Sequence, residues 1–135
     1  MLRAVNQGPS IVACSTCRFS PDSRDDADGQ RGGQRLYEIL MQVKASDPRY
    51  AGISVQKMAC LFACQDYCTA HIRDKDKISY ILGRLSPDEE AARALLDYAV
   101  LHAASRDGRV PYSHWPEGVK GHFITRMPPA GFVEE

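Results

Sequence analysis

An imbalance of charge is the first thing missing from this sequence. Among 135 residues, Lys and Arg number 17 and Asp and Glu number 17, so the formal net charge is zero. A general nucleic-acid binder carries a basic excess, and no nucleic-acid partner is expected here. Long apolar runs are missing too. Nothing approaches the roughly 20 apolar residues that span a bilayer, and no membrane partner is expected. Residues 1–10 hold Arg3, Asn6, Gln7, Gly8 and Pro9 and lack the apolar stretch of a secretory signal. A cytoplasmic location is the resulting expectation. No internal repeat is present at periods of roughly 20–50 residues. No Ser-His-Asp constellation or nucleophile elbow points to a hydrolase.

What is present is the composition of a globular domain, with 44% apolar and 25% charged residues. The length fits one domain, since about 100–200 residues per domain is usual. Five cysteines are the unusual feature. In a reducing compartment structural disulfides are rare, and an odd number cannot pair completely. Closely spaced cysteines then point to a metal or redox site.

Residues 10–13 (S-I-V-A) read as a first strand running into Cys14. Residues 19–33, rich in Gly, Asp and Arg, read as a long mobile loop. Leu36, Ile39, Leu40 and Val43 recur at helical spacing and predict a helix over 33–45, stopped by Ser46-Asp47-Pro48. Residues 53–58 alternate as a half-buried strand does and run into Cys60. Residues 69–73 and 78–82 form a strand pair around the charged turn 74–77. Ser86 caps a second helix, with Pro87 at its first position and Glu89 completing a capping box. Leu95, Leu96, Ala99 and Ala103 give this helix its apolar face, and Gly108 follows its end. From Arg109 to Glu135 the chain carries Pro111, Pro116, Pro128 and Pro129 with Tyr112, Trp115 and Phe123. A short helix between Glu117 and Arg126 is expected there.

Cys14 and Cys17 end the first strand, and Cys60, Cys64 and Cys68 follow the second. Two parallel strands joined by a helix place their C-terminal ends at one sheet edge. Cys14, Cys17, Cys60 and Cys64 would converge there as a soft-metal site, for zinc or an iron–sulfur cluster. Two blander readings compete. Free cysteines are often simply buried, and Cys60, Cys64 and Cys68 at i, i+4, i+8 would also line one helix face. The strand patterns on either side, and the lack of caps, favour a tight loop.

The Cys60-Leu61-Phe62-Ala63-Cys64 segment, after an amphipathic strand and before a hairpin, resembles the second cysteine pair of the thioredoxin-like [2Fe-2S] ferredoxins. The likeness spans residues 10–105. It implies an α/β, thioredoxin-like mixed sheet of about four strands with two main helices over residues 1–108. Residues 109–135 become a proline-rich C-terminal extension packed on the domain or on a partner. It also implies a [2Fe-2S] electron carrier rather than an enzyme, with ligands at Cys14, Cys60 and Cys64, and Cys17 as the second ligand. Cys68 stands near the family's proline position, close to the cluster and available as an alternative ligand. A redox partner protein is implied, and a homodimer is favoured. Trp115, Tyr112 and Phe123 supply either that dimer's contact or cover for the chain's own core. The whole pattern is also similar to a bacterial family of metal-binding proteins, predicted as such, often encoded near cobalamin synthesis genes. Zinc on the same four thiolates, or a [4Fe-4S] cluster, are the alternatives.

Other signals are weaker. A C-x-x-C that opens a helix has an activated thiolate, but some fifteen polar residues separate Cys17 from the first helix, so that activation is not expected. Asp26, Asp28 and Gly29 fail as a calcium loop, because Arg24 and Arg35 fall on ligand positions. Gly29, Gly32 and Gly33 do not fit a phosphate loop and read as loop flexibility. His71 reads as a solvent-facing strand residue, or else a donor beside the cluster. Arg18, Lys57 and Arg73 are candidates to offset thiolate charge.

Overall fold

The computed structural model describes residues 1–135. The chain runs β1 (Ser10–Cys14), α1 (Gly32–Ser46), β2 (Ser54–Met58), β3 (Ala70–Arg73), β4 (Ser79–Leu82), α2 (Glu89–Ala104) and β5 (Phe123–Met127). These strands form one mixed sheet in the order β2-β1-β3-β4-β5. Only β1 and β2 are parallel, with Cys14 opposite Met58. The other neighbours are antiparallel, with Ala13 opposite Ala70 and Ala70 opposite Leu82.

One face of the sheet builds the core. Ile11, Ala13, Ala70, Ile72 and Leu82 are fully buried there under Leu36 and Leu40 of α1 and Leu95, Leu96 and Ala99 of α2. The side chains recur every second residue in the strands and every third or fourth in the helices, so one apolar layer closes against another. Each such aliphatic side chain contributes roughly 1.5–3 kcal/mol by leaving water.

The thioredoxin-like mixed sheet with two main helices is as expected, and it gains a fifth strand. The helix expected over 117–126 does not form. Glu117–Val119 is a single 3-10 turn, and Gly121, at φ +81°, turns the chain into β5. Phe123, Ile124 and Thr125 are a β-favouring run, and β5 pairs antiparallel with β4, with a register shift between Ile81 and Leu82. Its ring at Phe123 joins Tyr80, Tyr98 and Trp115, so Phe123 and Trp115 pack on the chain's own core, whereas Tyr112 is exposed.

The cap of α2 also differs. Asp88, not Ser86, caps the helix and accepts the Ala91 N–H at 2.8 Å. The Pro87 carbonyl is instead engaged by the Arg35 guanidinium of α1 at 3.1 Å. The loop expected to be mobile is built from local contacts. Asp26 accepts the N–H groups of Asp28 and Gln30, both at 2.9 Å, and pairs with Arg35 at 3.0 Å.

Candidate metal centre

The parallel β1–β2 ladder decides where the cysteines go. It continues one step past the strands, with the Ser15 N–H donating to the Met58 carbonyl at 2.9 Å. The Thr16 hydroxyl then donates to the Ala59 carbonyl. The turn 15–17 is thus tied to the start of the 59–64 loop, and both cysteine groups meet at one edge of the sheet.

Cys14 and Cys17 share one turn, where the Cys17 N–H donates to the Cys14 carbonyl at 3.2 Å, and Cys60 and Cys64 share the loop that follows β2. The two pairs are linked through Cys14, whose thiol faces the Ala59 carbonyl of the other loop at 4.0 Å. Within that loop the Phe62 amide donates to the Cys60 sulfur at 3.3 Å. Cys17 and the buried Thr69 hydroxyl lie 3.1 Å apart. The pairs remain two pairs: no group of three or more His, Cys, Asp or Glu side chains is arranged around a single point to hold a metal ion. Cys60 to Asp66 follow a loop and a 3-10 turn (Cys64–Asp66), so the single-helix arrangement of Cys60, Cys64 and Cys68 does not occur.

Burial grades the thiols. Cys14 and Cys17 are buried, Cys60 is half-buried and Cys64 is exposed. Hydrogen bonding from Cys17 pulls the Cys14 thiol well below its ordinary pKa, and the same shared proton pushes Cys17 up. Contact with Cys60 raises Cys64. Cys68 has its side chain in the apolar core, where burial pushes its thiol to about 12. It sits at φ +45°, and its carbonyl accepts from Leu85 N–H at 3.4 Å.

Two features at this edge escaped the sequence reading. Residues 18–31 return the chain so that α1 begins directly against the Cys14–Cys17 turn, with Gly33 N–H donating to the Cys17 carbonyl at 3.2 Å. A Cβ on Gly33 would lie 1.6 Å from the Cys14 carbonyl oxygen, and one on Gly32 would lie 2.5 Å from that of Arg18. These glycines serve close packing, not loop flexibility, and the dithiol does face a helix N-terminus despite the intervening residues. A partial positive charge there favours thiolates. The second feature is Arg31, whose guanidinium donates to the Thr16 carbonyl at 2.9 Å. The Gly-Gly pair was the available signal for both.

The other candidates divide. Lys57 lies over the Tyr37 ring at 5.0 Å, on the strand that leads to Cys60. Arg73 lies opposite Ser10 at the far end of β1 and hydrogen-bonds Gln56 at 3.1 Å, away from the thiols. His71 is not solvent-facing. Its Nε2 is buried without a hydrogen-bond partner, and burial lowers its pKa to about 4.

The donor set fits an iron–sulfur cluster: four soft sulfurs in two pairs, with the Phe62 amide aimed at the Cys60 sulfur. A model of the family described as "Protein of unknown function (DUF1636)" matches residues 11–129. No curated protein matches the chain. Among solved structures, a thioredoxin-like [2Fe-2S] ferredoxin from Aquifex aeolicus is similar at 14% identity. The match has a TM-score of 0.56 and covers 95% of this chain and 100% of that one. At that identity the likeness establishes the thioredoxin-like fold alone.

Proposed function

The chain belongs to the DUF1636 family, and from that premise we propose that it is an iron–sulfur electron carrier that holds a [2Fe-2S] cluster through Cys14, Cys17, Cys60 and Cys64. The observation that carries this reading is the extension of the β1–β2 ladder through Ser15–Met58 and Thr16–Ala59, which brings the Cys14–Cys17 turn and the Cys60–Cys64 loop together at one sheet edge. A [2Fe-2S] cluster takes two protein ligands at each iron. A single zinc ion takes four sulfurs at about 2.3 Å from one centre, which two separate pairs offer less readily. Likeness to the ferredoxin from Aquifex aeolicus supports the same choice.

When bound, such a cluster supplies one-electron redox chemistry. The chain's own residues set its cost. The Phe62 amide donates to the Cys60 sulfur and stabilises negative charge. Arg31 brings a positive charge beside the Cys14–Cys17 turn. Exposure of Cys64 leaves one side of the site open to a redox partner protein. Cys68, in the core, lies outside this ligand set. A homodimer belongs to the same reading, and a strict monomer in sedimentation at high concentration would end it.

The deciding experiment is anaerobic reconstitution with iron and sulfide, followed by UV-visible and EPR spectroscopy and elemental analysis. Two irons and two acid-labile sulfides per chain are expected. Four of each would replace the cluster by [4Fe-4S]. One zinc without sulfide would select the zinc reading, and a colourless, iron-free chain would overturn the proposal.

A further inference from the structure

A cavity of about 770 Å³ lies where the β3–β4 turn, the end of α2 and residues 128–134 meet. Asp76, beyond the end of β3, is on its wall, whereas the cysteines gather at the start of β3. The cavity is therefore at the opposite end of the sheet from the thiols. Its size falls in the range of small-molecule sites, roughly 300–1,000 Å³. Arg106, Arg109 and Arg126 line it together with the apolar surface of Ile78, Pro128 and Phe132.

Two of these arginines act on one carboxylate. Glu134 pairs with Arg126 at 2.9 Å through one oxygen and with Arg109 through the other. This is the recognition that a two-oxygen anion finds between guanidinium groups. Both arginines stand on firm backbone. Arg126 is opposite Tyr80 in the β4–β5 ladder. Arg109 follows Gly108, which has φ +95° and lies so close to β4 that a Cβ would sit 2.4 Å from the Ile78 carbonyl oxygen. The segment bearing Glu134 is held far less firmly. Past Met127 its backbone makes one hydrogen bond of its own, Phe132 N–H to the Pro129 carbonyl at 3.1 Å. Phe132 and Val133 are 62% and 81% exposed. Of the charged lining groups, Asp76, Asp107 and Glu134 balance the arginines, so displacing Glu134 leaves a net positive wall.

We propose that this cavity is a binding site for a small organic carboxylate with an apolar body, and that Glu134 occupies its arginine clamp in competition with the ligand. The ligand's carboxylate takes the place of Glu134 between Arg109 and Arg126, while Ile78, Pro128 and Phe132 meet its apolar part. A self-occupied site binds more weakly by the fraction of time it is filled.

Titration of the full chain with phenylacetate, followed by calorimetry at low salt, tests this. Glu134→Gln is expected to bind phenylacetate about tenfold more tightly than the parent chain. Adding Arg126→Gln to that variant should abolish binding, and Arg109→Gln serves the same purpose should the first double variant not fold. Phenylacetamide, which lacks the charge, should not bind, and inorganic phosphate, which lacks the apolar part, should bind at least tenfold more weakly. Equal affinities of parent and Glu134→Gln, binding that survives loss of either arginine, or phosphate or phenylacetamide binding as tightly as phenylacetate would each overturn the proposal.

Discussion

The β4–β5 side of the sheet and the loops that carry the cysteines are held by different physics. Around Tyr80 and Tyr98 the structure packs aromatic rings closely enough to bury the Tyr98 hydroxyl without a hydrogen-bond partner. Tyr80 meets Tyr98 edge-on with ring centroids 6.0 Å apart, Phe123 packs on Tyr98 at 5.3 Å, and Trp115 on Phe123 at 4.6 Å. The indole N–H of Trp115 donates to the Val110 carbonyl at 2.9 Å, so its burial leaves no polar debt. Near the cysteines the backbone instead adopts left-handed conformations at non-glycine residues: Phe62 at φ +60°, Cys68 at +45° and Arg84 at +56°. Such residues cost on the order of 1–3 kcal/mol each and gather at functional sites. Phe62, 94% exposed between Cys60 and Cys64, gains nothing by burial. The β4–β5 side is ordered by what it hides, the cysteine loops by hydrogen bonding to sulfur and by ties across β1 and β2.

The sharpest way to separate the two regions is to remove a thiol. Cys60→Ser or Cys64→Ser should abolish iron incorporation, measured by elemental analysis after reconstitution, while the melting temperature of the metal-free chain stays close to that of the parent. Cys17→Ser should also bleach the protein and Cys68→Ser should not. The reverse result for that pair would make Cys68 the fourth ligand.

The opposite break is Trp115→Ala. Losing a packed aromatic costs roughly 3–5 kcal/mol, which denaturant titration would detect, with cluster content per folded chain unchanged. Gly33→Ala should join the two effects, because its Cβ meets the Cys14 carbonyl oxygen. Overpacking of this kind costs roughly 1–3 kcal/mol, and reconstitution should fall because the shift is delivered to the turn that carries Cys14 and Cys17. A Gly33→Ala chain that loses stability but binds iron normally would separate the helix start from the site.

The smallest effect is a pH dependence from β3. Burial lowers the His71 pKa to about 4. A histidine held neutral in the fold stabilises it fully above its unfolded pKa of about 6.5, and this stability drains away as the pH falls from there towards 4. The expected loss is about 1–2 kcal/mol by pH 5. His102, also lowered by burial, adds to the same limb. Unfolding of His71→Leu across pH 5–7 should show a flatter acid limb than the parent.

Much of this architecture was legible in the sequence. β1, α1 and β2 declared themselves by apolar period, and the β3–β4 pair by its charged turn. The parallel β1–β2 pairing could then be inferred, which places two cysteine groups at one edge. Local signals misled where a distant contact outbid them. Ser86-Pro87 reads as a helix start, but Arg35 takes the Pro87 carbonyl and Asp88 becomes the cap. Residues 117–126 read as helix, but β4 offers an unpaired edge and Phe123 an aromatic pocket, so the segment becomes β5.

The sequence by itself determined the two-layer arrangement, through the periods of its apolar residues, and the soft-metal character of the thiols, through their residue type. Only the tertiary structure decided that α1 starts on the Cys14–Cys17 turn, that Cys68 turns into the core while Cys64 faces outward, and that Glu134 reaches Arg109 and Arg126. Periodicity is a property of neighbours in the chain. The close approach of Gly33 to Cys14, the direction of a thiol and the meeting of charges far apart in sequence depend on where the packed layers bring the chain back upon itself.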